Sequence, residues 1–465
     1  MAQPPAITSN ELPAAGCGFP PDESRRGALL IKLLDTVGRR DICVLHGYET
    51  YPETIPSDVD VVATRRGLHI ILTTQFEGWQ VVQCLRHEHS CYYLVYATTA
   101  EGQPEFLALD VALDFRRDGC VFYDGQEILN RATVNERNLP VPPPDIEFGY
   151  YVMKKIGKAS IDLRQAARLS RLWRLDPTRS QLQLSRFLPA NAARLVNTAA
   201  ETGDWSLVNR RIKRLRRMMS RHMIAKHFWT SFTYRLLEVG RAFGRIRRPT
   251  GMVISFLGPD GAGKSTLIDH LERWLREAFR RVARYHLRPR WGRPGPKSPV
   301  TDPHGQPPRG LLSSLAKLVL WVADGTMGYM VAIWPRKVRS TLVLFDRSFH
   351  DILVDPRRYR YGGPMWLSRV AGAWVIKPDL FIILDASIAD LHSRKQEVAL
   401  AESDRQRLAY LDLGRTLPNA HLVDAMKPPK HVASQAARII LNHLAERTTH
   451  ELATIMRREV SDHES

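Results

Sequence analysis

Two hydrophobic periods alternate along this chain. Apolar runs of strand length occur at Ile42–Leu45, Val59–Ala63, Gly78–Leu85, Tyr92–Thr98 and Phe106–Phe115, after a helical stretch over Arg26–Val37. Bounded by turn residues, such runs predict strands, and residues 27–145 read as a mixed α/β domain. Pro140-Val-Pro-Pro-Pro144 closes this region, because successive prolines fix φ and withhold amide donors. From 146 to 249 the period becomes helical. Val208, Ile212, Leu215, Met219 and Met223 recur every three or four positions with arginine and lysine between them, which predicts a basic helical connector. From 250 to 446 strands at Val253–Leu257, Thr341–Phe345 and Leu380–Leu384 alternate with helices, the first starting at Lys264 and the last near Val432–Glu446. That alternation predicts an α/β domain with a parallel sheet covered on both faces. Residues 1–26 and 447–465 read as tails.

Charge changes the picture in the middle of the chain. The 465 residues carry a formal net charge of +19. Residues 151–250 hold 23 Lys and Arg against five Asp and Glu, so 23 − 5 = +18 lies there. Such a concentration suits an acidic partner, either nucleic acid or an anionic membrane. All five cysteines, Cys17, Cys43, Cys84, Cys91 and Cys120, fall in the first 120 residues, and no apolar signal precedes them. Free thiols in a cytoplasmic setting are the expectation. The most apolar stretch, Leu318–Trp334, is interrupted by Asp324, Gly325 and Gly328, which favours a buried or surface-packed helix over a span.

The chemistry starts after the strand Met252–Leu257. Gly258-Pro-Asp260-Gly261-Ala262-Gly263-Lys264-Ser265 follows it directly, and Thr266 continues into an amphipathic helix. A glycine-rich loop between strand and helix turns backbone N–H groups inward around phosphates, and the helix N-terminus adds a positive end. In that context Lys264 is expected on the β- and γ-phosphates of ATP and the Ser265 hydroxyl on Mg²⁺.

These residues resemble the thymidylate kinase family, whose loop reads G-x-D-G-x-G-K-[ST]. Three further segments share the resemblance: Leu342-Val-Leu-Phe-Asp346-Arg347-Ser348, Pro378-Asp-Leu-Phe-Ile-Ile-Leu-Asp385 and Leu422-Val-Asp424-Ala425. The resemblance implies that Asp346 helps hold Mg²⁺, that Arg347 grips an acceptor phosphate and that Asp260 bonds an acceptor hydroxyl. Pro259 leaves the loop without an arginine. Arg394, in the candidate lid with Lys395, Arg405 and Arg407, then takes the role of stabilising the transferring group. The acceptor half departs from the family. His286-Leu-Arg288-Pro289 and a Pro-rich insertion to about 309 stand where the family carries R-E-P-G-G-T, and Ala323-Asp324-Gly325 stands where it offers an arginine. The cluster Asp351, Arg357, Arg358, Tyr359, Arg360, Tyr361 and Gly362 suits a different phosphorylated acceptor. The expected activity is ATP-dependent phosphoryl transfer to a phosphorylated small molecule that need not be dTMP.

The N-terminal domain has a looser resemblance to the polymerase-β-like nucleotidyltransferase fold. It rests on Val44-Leu45-His46-Gly47-Tyr48, on Ser57-Asp58-Val59-Asp60 and on Leu107-Ala-Leu-Asp110. Asp58 and Asp60 share a face by the strand period, and the resemblance implies a second Mg²⁺ site with Asp110 as third carboxylate, or Asp114 in its place. Tyr48 stands where that family prefers a small residue. Cys84, His87, His89 and Cys91 lack the spacing of common zinc sites and read as a hairpin tip. Two rivals stand beside the kinase reading: a nucleotide-gated protein whose connector binds nucleic acid or membrane, and a nucleotidyltransferase regulated by the P-loop domain.

Overall fold

The structure, a computed structural model, describes residues 25–100, 102–117, 119–287, 307–394 and 400–461. Most of the expected N-terminal tail with Cys17, the Pro-rich insertion at 288–306 and Lys395 lie outside the described residues.

The N-terminal domain runs α1 (Arg25–Val37), β1 (Ile42–Val44), β2 (Val59–Ala63), α2 (Arg65–Thr73), β3 (Gln80–Glu88), β4 (Cys91–Thr98), β5 (Glu105–Ala112), β6 (Asp114–Arg117), β7 (Cys120–Asp124) and α3 (Gly125–Arg131), with a short β8–β9 pair (Thr133–Val134 and Pro140–Val141). Its main sheet has the order β1-β2-β5-β4-β3 and is mixed, because only β2 and β5 run parallel. The apolar run expected as one strand over Phe106–Phe115 splits at Leu113. Asp114 begins β6, which leaves the main sheet to pair with β7.

The basic region folds into α4 (Pro144–Lys158), α5 (Leu163–Leu175), α6 (Pro177–Phe187), α7 (Ala190–Thr202), α8 (Ser206–Lys226) and α9 (Phe228–Arg247). It is more than a connector. Val208, Ile212, Leu215, Met219 and Met223 are all buried, in one core with Cys120, Phe122 and Tyr123 of β7. The buried stripe spans one face of α8, and the arginines between its members take the other.

The C-terminal domain contains β10 (Met252–Leu257), α10 (Lys264–Trp274), β11 (Arg281–His286), α11 (Leu311–Ala323), a π-helical segment (Asp324–Ile333), α12 (Trp334–Val338), β12 (Thr341–Asp346), α13 (Asp351–Val354), α14 (Met365–Trp374), β13 (Leu380–Asp385), α15 (Ile388–Arg394), α16 (Leu400–Thr416), β14 (Ala420–Asp424) and α17 (Pro429–Ser461). All five strands are parallel, in the order β11-β12-β10-β13-β14. β10 is buried at every position, as a strand covered on both faces must be.

Two helices run longer here than the sequence reading placed them. Leu311–Val338 forms one continuous helix, long and apolar enough by length and composition alone to cross a membrane. Asp324, Gly325 and Gly328 do not break it, because the π-helical turn absorbs them. Gly325 lies where a Cβ would come 2.7 Å from Val375 Cγ1, so it is needed for close packing. The last helix also runs past 446 to Ser461 instead of ending in a tail. Thr448 Oγ1 donates to Val82 O at 3.0 Å, and Leu452 joins the N-terminal core. Hence α17 packs against both sheets, and Val82, Val95 and Phe106 share a core with β10 and α17.

Candidate functional site

The site lies at the C-terminal ends of β10 and β12, the edge of an open parallel sheet where ligands bind. The loop after β10 has the backbone its glycines permit. Gly258, Gly261 and Gly263 have φ of 140°, 85° and 86°. A Cβ on Gly258 would sit 2.8 Å from Leu384 O, so no other residue fits there. Gly263 caps α10, leaving the amides of the first helical turn directed at the loop.

Lys264 is only 6% exposed. Its ammonium donates to Gly258 O and Pro259 O, both at 2.7 Å, and so lies along the loop it would share with phosphates. Burial, then the neighbouring Arg347 charge, lowers its pKa from the usual lysine value to about 7. Ser265 Oγ lies 3.3 Å from Asp346 Oδ2, so the hydroxyl and carboxylate expected on Mg²⁺ are brought together. These residues fit an ATP·Mg²⁺ site: a buried cation, inward amides and a hydroxyl–carboxylate pair.

Around that centre lies an ionic network. Asp260 is paired with both Arg347 and Arg358, and Lys264 Nζ lies 4.0 Å away. Burial alone would raise the Asp260 pKa, but Arg347, Lys264 and Arg358 outweigh it and hold the carboxyl well below the usual range. Arg347 is a buried arginine with φ 69°, and its Nη1 donates to Asp351 Oδ2 at 2.6 Å. Asp351 is fully buried and also accepts from the hydroxyls of Tyr359 and Tyr410.

This corrects the reading of Asp351 as an acceptor contact. It has no exposed surface, and its oxygens are engaged by Arg347 and two tyrosines, so it positions Arg347. Of the other acceptor candidates, Arg358 reaches the loop. Arg357 is exposed, and Arg360 turns away to donate to Pro307 O at 3.1 Å. Arg394 ends α15, and its side chain lies outside the described residues. Arg405 donates to Val354 O at 3.0 Å, while Arg407 forks onto Asp385 at 2.6 and 3.0 Å. Two participants were not foreseen. Tyr410 comes from α16, far along the chain. Arg284 on β11 lies 3.5 Å from Asp346 Oδ2, because β11 pairs with β12 in register.

In the N-terminal domain, Asp60 and Asp110 are register partners on β2 and β5, and Asp58 is exposed. Asp60 is already offset by Lys154 Nζ at 2.6 Å and His46 Nε2 at 3.0 Å. Burial, then the Asp60 charge, pushes Asp110 up to about 7. Asp114 faces elsewhere, its Oδ2 taken by Arg116 at 2.6 Å. Among the described residues no group of three or more His, Cys, Asp or Glu side chains is spaced to hold a metal ion. Tyr48 donates to Glu147 Oε2 at 2.5 Å, which fixes it against α4. Cys84, His87, His89 and Cys91 lie on the β3–β4 hairpin, with Glu88 opposite Cys91 at its tip.

No profile of a known protein family matches the chain. Several curated proteins do. The thymidylate kinase of Xanthomonas oryzae pv. oryzae is 28% identical over 213 residues, 43% of this chain and 87% of that protein. That of Xanthomonas campestris pv. campestris is 27% identical over 210 residues, 43% and 87% of the two chains. That of Leifsonia xyli subsp. xyli is 28% identical over 197 residues, 40% and 92%. A solved thymidylate kinase from Ehrlichia chaffeensis covers 41% of this chain and 100% of its own, at 19% identity and a TM-score of 0.30. About two fifths of the chain is thus similar in sequence to thymidylate kinases. The nucleotidyltransferase resemblance finds no support in these relatives.

Proposed function

We propose that the C-terminal domain transfers the γ-phosphoryl group of ATP to a phosphorylated small-molecule acceptor. The observation that carries this reading is the convergence of Lys264, Asp260, Arg347 and Arg358 at one end of the parallel sheet. Lys264 and the loop amides bind the β- and γ-phosphates and neutralise charge as it shifts toward the leaving oxygen. Ser265 and Asp346 would hold Mg²⁺, whose positive charge would offset that of the phosphates. Arg347 and Arg358 each use part of a five-donor fork on Asp260, and the remaining N–H groups suit an acceptor phosphate. Asp351, Tyr359 and Tyr410 hold Arg347 in its left-handed backbone position. Most of the rate then comes from positioning and charge stabilisation.

The acceptor need not be dTMP, since the segments that read thymine in the resembled family are replaced here. The test is ATP consumption with Mg²⁺ by the full chain across nucleoside monophosphates and sugar phosphates, with Lys264→Ala as control. Turnover with one acceptor, abolished in the variant, is expected. ATP binding without acceptor-dependent turnover would sink the reading. A second reading, nucleotidyl transfer by the N-terminal domain, is favoured by the opposition of Asp60 and Asp110; activity lost in Asp58→Ala yet kept in Lys264→Ala would point to it.

A further inference from the structure

Helix α9 is packed the wrong way round for a soluble domain. Apart from the Tyr234 ring, which packs against His89 and under Arg116, its contacts with the body are polar. Glu238 accepts from the His89 amide at 2.6 Å, Arg241 donates to Arg86 O at 3.1 Å, and Arg245 reaches Ser340 Oγ at 3.2 Å. Only Ser231 and Tyr234 are buried along its 20 residues. The apolar residues point out. Trp229, Phe232, Leu236, Val239, Phe243 and Ile246 are 75%, 50%, 58%, 67%, 56% and 47% exposed. They follow one another at intervals of three and four, and so occupy a single arc of about 100° on the helix. An amphipathic helix normally turns such a stripe inward; here it is exposed, with Leu236 and Phe243 also bordering a cleft shared with Arg86 and Ile455.

What covers it can be argued from charge. The stripe directly follows α8, which has eight Lys and Arg and no acidic residue. On α8 the stripe Val208, Ile212, Leu215, Met219 and Met223 is buried, and the basic residues between its members are exposed. A second copy of the chain would bring two strongly positive surfaces together. A nucleic acid would match the charge but leave Leu236, Val239 and Ile246 in water. A bilayer with anionic headgroups satisfies both features, since acyl chains take the stripe and headgroups take the arginines. Trp229, at the start of the stripe, is a side chain suited to the headgroup level. We propose that α8 and α9 dock this protein on an anionic lipid surface, with the outer stripe of α9 in the acyl boundary and the basic face of α8 on the headgroups. This inference is independent of the acceptor of the kinase-like domain.

The experiment is co-sedimentation of the full chain with phosphatidylcholine vesicles, with and without phosphatidylserine. Two variants accompany it: Trp229→Ser/Val239→Ser/Ile246→Ser, and Arg214→Gln/Arg217→Gln/Arg221→Gln. All six side chains are exposed, so both variants are expected to melt at the wild-type temperature. The expected result is binding at least about ten-fold tighter to anionic than to neutral vesicles, weakened about ten-fold or more in either variant and by added salt. Equal binding to both vesicle types, or an unchanged first variant, overturns the proposal. So does tight binding of a single-stranded oligonucleotide without vesicle binding, which assigns the surface to nucleic acid. A concentration-dependent dimer that the first variant abolishes, again without vesicle binding, assigns it to a second copy and likewise overturns the proposal.

Discussion

Replacing Asp351 with asparagine tests whether a buried anion holds the site together. The carboxylate is fully buried; Oδ2 accepts from Arg347 Nη1 at 2.6 Å and from Tyr359, and Oδ1 accepts from Tyr410. Asparagine keeps the shape but removes the charge, and it turns an amide N–H toward one of three donors. Breaking a buried charge pair costs about 3–5 kcal/mol when the remaining partner is left unpaired. Arg347 retains Asp260, so the lower end, about 3 kcal/mol, is expected. The loss should be local, because Asp351 opens the helix Asp351–Val354 and its own carbonyl accepts from the Asp355 amide at 2.9 Å. Hydrogen exchange over residues 347–361 in the full chain is the assay, since it reads local opening free energy. A penalty of about 3 kcal/mol makes those amides exchange roughly 100-fold faster. Tyr359→Phe, which removes one hydrogen bond and no charge, should cost about 1 kcal/mol and speed exchange roughly five-fold. If the asparagine variant exchanges no faster than the phenylalanine variant, the Asp351 charge is not what holds Arg347.

Two further outcomes follow from the pKa shifts. Burial and Arg347 lower Lys264 to about 7, and bound phosphates would restore its charge, so ATP binding at pH 8 is expected to take up close to one proton. Titration calorimetry in buffers of different ionisation enthalpy reads this directly, and buffer-independent heats would refute it. Asp110 is raised to about 7, above its unfolded value. The folded state therefore binds that proton more tightly, and its contribution to stability is present at low pH and lost as pH rises through 7. Asp110→Asn, which mimics the protonated acid, should stabilise the protein by about 1–3 kcal/mol at pH 8 and hardly at all near pH 4, read as a shift in melting temperature in the presence of a chelator. Equal shifts at both pH values would show that packing, not ionisation, governs this position.

Legibility in the sequence followed the range of the interaction. The loop Gly258–Ser265 could be read from one segment because its chemistry is local: strand, glycine turn and helix start are consecutive, and the positive φ of Gly258, Gly261 and Gly263 allows little else. The stripe of α8 was equally plain, since its period reports burial. The split at Leu113 was not, because Phe106–Phe115 keeps a strand-like pattern through Asp110 and Asp114 and only pairing with β7 decides where β6 begins. The run of α17 to Ser461 escaped for the same reason. Past 446 its apolar positions are sparse, and the helix is kept by packing on a sheet more than 300 residues away, as in the bond between Thr448 and Val82.

By itself, then, the sequence determined the parallel-sheet domain and its phosphate loop, encoded by short-range pattern and backbone sterics; the meeting of Ser265 and Asp346 across 81 residues was implied only by the family resemblance. The tertiary structure decided which arginines matter. Arg357, Arg358 and Arg360 are equivalent as letters, and only the fold turns Arg358 to Asp260 and Arg360 to Pro307. It also decided that Asp351 is a buried brace and that the apolar side of α9 faces out. The physical reason is that a charge or an apolar stripe has no meaning until its neighbours are known: burial, partner and direction are properties of the packed chain.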